Sequence, residues 1–100
     1  MRLSEQERLT LKRTIRQYFG ENTSILLFGS RADDTKKGGD IDIYIECDTL
    51  SSDEVVNAKI NALLELYKTL GEQKIDLVIN RKNGFSLPIY DLAKREGVPL

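Results

Sequence analysis

Three aspartates are the residues through which this chain could do chemistry: Asp40 and Asp42, separated by one isoleucine, and Asp76 further along. On an extended strand alternate residues share a face and lie roughly 6 to 7 Å apart, so Asp40 and Asp42 can flank one small site. Two like charges so placed require a cation. Magnesium suits them, because it prefers carboxylate oxygens, keeps several waters and completes its shell with substrate phosphates. If Asp76 comes from a neighbouring strand, it extends the set to two ions about 3.5 to 4 Å apart, an arrangement that supports phosphoryl transfer. Donors for the phosphates lie upstream, in Phe28-Gly29-Ser30-Arg31-Ala32. Gly29 permits close approach of the backbone, Ser30 offers a hydroxyl and an amide, and a helix beginning there would aim N–H groups at an anion. Arg31 is expected to bring positive charge to the same turn.

Taken singly, each feature has a plainer reading. A Gly-Ser pair after a strand is more often a simple turn, and Asp-Ile-Asp on an alternating strand is more often a solvated face. Their order and spacing along one chain favour the site.

The elements that must position these side chains follow from periodicity and caps. Ser4 and Glu7 have capping-box spacing, and Leu11, Ile15, Tyr18 and Phe19 recur at helical intervals, which predicts a helix from about Ser4 to Phe19. Ser24 to Phe28 is a nearly continuous apolar run, expected as a central strand covered on both faces. Asp40 to Glu46 alternates strictly, sending Ile41, Ile43 and Ile45 to the core and Asp40, Asp42, Tyr44 and Glu46 to the other face. A second capping box, Ser51 with Glu54, opens a long helix to about Leu70, with Val56, Ile60, Leu63, Leu64 and Tyr67 as its expected core-facing stripe. Lys74 to Ile79 alternates again, with Asp76 opposite Ile75, Leu77 and Ile79. After a turn-like Arg81-Lys82-Asn83-Gly84, a last helix is expected from Pro88 to Glu96, with Gly97 just beyond it. This order predicts a single α/β (α+β) domain over residues 1–100, a mixed β-sheet flanked by helices.

Composition narrows the chemistry further. The 100 residues contain no histidine and one cysteine, which removes serine-histidine and cysteine-histidine nucleophiles and disfavours zinc or non-haem iron. Catalysis must lean on carboxylates. A net charge of −1 gives no broad field for a polyanion, so nucleic acid is not the expected partner. No apolar run is long enough to span a bilayer, and the start has no signal-like apolar segment, so a cytoplasmic protein is expected. The stripe Arg8, Lys12 and Arg16 reads as a solvated helix face, and Lys36-Lys37-Gly38-Gly39 is a surface or phosphate-side loop. Cys47 is expected to be a small buried residue, and Phe85, Leu87, Ile89 and Tyr90 fit a docking surface or core packing equally well.

Phe28-Gly29-Ser30-Arg31-Ala32, then Gly39-Asp40-Ile41-Asp42-Ile43, then Ile75-Asp76-Leu77-Val78 together resemble the signature of the DNA polymerase β nucleotidyltransferase superfamily. The short chain is similar to the minimal nucleotidyltransferases, which are usually the antitoxin half of a two-component module with a HEPN-domain toxin. Ala93-Lys94-Arg95-Glu96-Gly97 resembles the closing helix of that family. The resemblance implies the nucleotidyltransferase fold, with Gly29 and Ser30 holding the nucleotide phosphates and Arg31 beside them. It implies two Mg2+ ions bound by Asp40 and Asp42 with Asp76, the last also orienting or deprotonating the acceptor hydroxyl. It further implies AMP transfer from ATP to a tyrosine of a cognate HEPN-type toxin, in a hetero-oligomer with that toxin. Two alternatives stand beside it: an antitoxin that neutralises by binding alone, and a nucleotidyltransferase for a small molecule or RNA end. Gly39 departs from the serine of many relatives, and Asp33-Asp34 makes the intervening loop unusually acidic.

Overall fold

Helix α1 (Glu5–Phe19) starts at Ser4, whose hydroxyl accepts from the Glu7 amide while the Glu7 carboxylate accepts from the Ser4 amide. That reciprocal cap satisfies two donors that every helix start leaves open. The structure is a computed structural model describing residues 1–48, 50–83 and 85–100; Gly84 of the expected turn lies outside them. Strands β1 (Ser24–Phe28), β2 (Ile41–Glu46) and β3 (Ile75–Asn80) form where the apolar patterns predict them. Helix α2 (Ser52–Leu70) carries the second capping box, and α3 (Pro88–Glu96) opens on Pro88, whose missing N–H costs nothing at a first helical position. A two-residue β4 (Val98–Pro99) follows, too short to leave any periodicity in the sequence.

The strands form one mixed sheet in the order β3-β2-β1-β4. β1 pairs antiparallel with β2 and with β4, whereas β2 and β3 run parallel, the crossover between them being supplied by α2. One sheet face carries Ile25, Leu27, Ile41, Ile43, Ile45 and Leu77, and it packs against Leu11, Ile15 and Phe19 of α1 and Ala58, Ala62 and Leu66 of α2. The opposite face has a smaller core in which Phe28 and Tyr44 lie beneath Ala93 of α3. Tyr44, expected on a polar face, is therefore buried. With nine residues α3 is only about 14 Å long. It leaves Asp76 exposed and Asp42 half-buried on the face it covers.

Helix α2 departs from its expected orientation. Ala58, Ala62 and Leu66 turn inward, Leu63 is half-buried, and Val56, Ile60, Leu64 and Tyr67 face outward with exposures of 56, 52, 56 and 42%. The cause is packing. Ala58, Ala62 and Leu66 join the core shared with α1 and the sheet, where small side chains permit close approach, and the bulkier side chains are turned out. Phe85, Leu87 and Ile89 are exposed as well, while the Tyr90 hydroxyl donates to the Ile79 carbonyl. Cys47 is buried as expected, and burial pushes its thiol pKa up. Arg8 is held by Glu5 rather than freely solvated. Among the described residues no helix is long and apolar enough to cross a membrane.

At the end of β2, Glu46 accepts from the Tyr44 hydroxyl at 2.6 Å and pairs with Lys94 at 3.0 Å and Lys82 at 3.3 Å. Asn80 donates to the same Tyr44 oxygen at 2.9 Å. Burial pushes the Glu46 carboxyl up, but Tyr44, Lys94 and Lys82 outweigh it and hold its pKa below the ordinary value of 4.5. A carboxylate lowered on folding contributes stability that is present above 4.5 and lost as pH falls through the lowered value. Glu46→Gln should cost on the order of 1 kcal/mol at neutral pH. Thermal unfolding from pH 7 down to about 3 should show the variant converging on wild type at the acid end; a constant offset at all pH values would contradict it.

Candidate active site

The β2–β3 register places Asp42 directly beside Asp76 on parallel strands, with Ile41 beside Ile75 and Ile43 beside Leu77. Side chains so paired share a face, and the strands lie about 4.8 Å apart. Continuing the register brings Asp40 level with Lys74, and these form an ion pair at 3.6 Å. Alternate rungs, on one sheet face, are thus a balanced pair followed by a like-charged pair. The consequence appears at Asp42, whose pKa is raised by burial and by the charges of Asp76 and Asp40, with Lys74 opposing. Asp42 and Asp76 form the close pair. Among the described residues no three acidic, cysteine or histidine side chains form a ready-made metal cage. Asp40 stands two rungs away, partly engaged by Lys74.

On the other flank of β2, Phe28 pairs with Asp42, and the chain turns immediately at Gly29. Gly29 has φ of 75°, and a Cβ there would collide with the Asp42 carboxylate. Only a glycine lets the turn close over that aspartate. The helix expected after the strand is a single 3₁₀ turn, Gly29–Ala32. Ser30 sits against Gly38, φ 149°, where a Cβ would come within 2.6 Å of the Ser30 Oγ. The Lys36–Gly39 loop, to which no role was assigned from the sequence, therefore folds back over the Gly29-Ser30 turn. Beside it lies a cleft of about 480 Å³ bordered by Gly29, Asp33, Thr35, Lys36 and Glu96. Asp33 accepts from the Thr35 amide and hydroxyl, which holds its carboxyl below the usual range.

Arg31 has a different place from the one expected. Its guanidinium donates to the Arg2 carbonyl at 3.0 Å, the Gly39 carbonyl at 3.1 Å and Gln73 Oε1 at 3.4 Å. Arg2 in turn donates to the Ser30 and Gly38 carbonyls. The two arginines tie the turn, the loop and the start of the chain together. Arg31→Met should therefore lower unfolding free energy by about 2 kcal/mol and change nucleotide affinity less than about threefold. Denaturant unfolding with a parallel nucleotide titration checks it; intact stability with lost binding would return Arg31 to the phosphates.

A family model for the nucleotidyltransferase domain matches residues 9–97. The chain belongs to that family. No curated protein matches the chain closely enough to add a function of its own. The fold, a mixed four-stranded sheet flanked by three helices, is consistent with nucleotidyltransferases, and the family supports general nucleotidyl transfer. Residues 29–42 and 76, which surround the aspartate pair, all fall within the matched segment. Lys74 and Glu96 are the neighbours that sequence reasoning passed over. Lys74 was recoverable only from the β2–β3 register, and Glu96 only from the way α3 crosses the sheet.

Magnesium fits the residues present. The donors are carboxylates with a surplus of negative charge, one of them half-buried and raised in pKa. A hard cation that keeps its own waters needs no closed protein cage.

Proposed function

We propose that this nucleotidyltransferase domain is a protein adenylyltransferase that serves as an antitoxin, moving AMP from ATP to a tyrosine hydroxyl of a cognate HEPN-type toxin. The observation that carries the transfer chemistry is the Asp42–Asp76 rung beside Gly29. The choice of a protein acceptor draws on the resemblance to minimal nucleotidyltransferases and on the openness of the site. Asp76 is exposed and lies on β3, an edge strand, so a bulky acceptor can approach from the side.

In this reading Asp42 and Asp76, with Asp40, would hold magnesium, which supplies charge neutralisation at the phosphates and favours the ionised acceptor. Gly29 and Ser30 receive the nucleotide phosphates, the glycine by clearance and the serine by donation. The tyrosine oxygen attacks the α-phosphorus; a new phosphorus–oxygen bond forms, the bond to the β-phosphate bridge breaks, and pyrophosphate leaves. Asp76, exposed at the sheet edge, takes or directs the hydroxyl proton.

Co-expression with a candidate HEPN-domain partner, followed by intact-mass measurement, tests the reading. The toxin should gain one or more AMP masses with wild type and none with Asp40→Asn/Asp42→Asn. An unmodified toxin that is nevertheless neutralised, by wild type and double variant alike, would instead establish neutralisation by binding.

A further inference from the structure

The outward face of α2 has an internal symmetry. Around Ile60, Val56 lies four residues before and Leu64 four after, while Asp53 lies seven before and Tyr67 seven after, with Lys68 next to it. At 3.6 residues per turn these positions fall on one strip of the helix surface. All are exposed, and the apolar members form a continuous stripe rather than isolated surface residues. Among the described residues neither Asp53 nor Lys68 has an ion-pair partner.

We propose that this face is a homodimer interface in which two copies pack α2 against α2, antiparallel, about a two-fold axis at Ile60. An isologous contact requires a patch complementary to itself after a half-turn. Reversal of this strip sets Ile60 against Ile60 of the second copy and Val56 against Leu64. It also brings Asp53 near Tyr67 and Lys68, once at each end. The charges are therefore complementary only in the antiparallel arrangement; a parallel one stacks Asp53 on Asp53 and Lys68 on Lys68. A different protein could cover an apolar helix, but nothing about such a partner would require the near-palindrome.

The 19 residues of α2 give a contact about 28 Å long and roughly 10 Å wide. That is below the roughly 800 Å² per partner of a standard interface, so a weak, concentration-dependent dimer is expected. The helix lies on the sheet face opposite Asp42 and Asp76, so pairing leaves both nucleotide sites open.

Sedimentation velocity from about 1 to 500 μM, with far-UV circular dichroism as the folding control, decides the matter. Wild type should pass from monomer to dimer, and Ile60→Asp, which places two carboxylates at the axis, should weaken the dimer at least about 100-fold. Asp53→Lys and Lys68→Asp should each weaken it about 3- to 10-fold, and the double exchange should restore it. A folded wild type that stays monomeric throughout would overturn the proposal. So would a dimer indifferent to Ile60→Asp, or one that the double exchange fails to rescue.

Discussion

Asp42→Asn is expected to abolish nucleotidyl transfer while raising the melting temperature of the metal-free domain. Both effects come from one arrangement. Asp42 is half-buried, paired in register with Asp76 and close to Asp40, and only Lys74 opposes the accumulated charge. Its folded pKa is therefore raised above the ordinary 3.8. For a carboxylate raised on folding, ionisation costs stability at neutral pH, and that cost is relieved as pH falls through the raised value. The sign is opposite to that at Glu46. Asparagine removes the cost at all pH values, so the apo variant should melt a few degrees higher near pH 7 and the gap should close in acid. Magnesium should stabilise wild type and leave the variant unmoved. Transfer should fall about 10³-fold or more, because the carboxylate that would hold the cation at the phosphates is gone. A variant that melts lower than wild type without metal would show that Asp42 is tied into the fold by contacts other than repulsion.

Gly29→Ala should damage the site and the fold together. The positive φ of 75° alone makes any L side chain unfavourable there, at about 1 to 3 kcal/mol. Beyond that, the added methyl collides with the Asp42 carboxylate and must displace it. A displacement near 1 Å at a reacting centre reduces rate about 10²-fold, so transfer should drop at least that far in protein that remains folded. Gly39→Ala supplies the contrast. A Cβ there meets nothing within 4 Å and the residue has no positive φ, so stability should change by less than about 0.5 kcal/mol. Comparable losses at both positions would mean that loop flexibility, rather than clearance over Asp42, is what the glycines provide.

Much of this was legible in the sequence where local chemistry decides structure. Both capping boxes, the three longer strands and the Pro88–Glu96 helix form where spacing and turn residues place them. The like-charged rung was only half legible. Alternation put Asp42 and Asp76 on strand faces, but whether they would be neighbours depended on the parallel register, which no local pattern specifies. The orientation of α2 was misread for a related reason. Apolar residues occur round most of that helix, and the choice between its alanine stripe and its bulky stripe is made by its packing against α1 and the sheet, not by the helix alone. Alternation puts Tyr44 on the polar face because it says nothing of α3 crossing above it. Nothing local in the sequence tells that the Arg31 guanidinium meets the carbonyls of Arg2 and Gly39.

Titration calorimetry of ATP into the domain, with and without magnesium, most directly probes whether the Asp42–Asp76 rung is a cation-dependent nucleotide site. Wild type should bind ATP only when the divalent ion is present, and Asp42→Asn/Asp76→Asn should weaken that binding at least about 10-fold. Equal affinity in chelator, or undiminished affinity in the double variant, would contradict the assignment of the site.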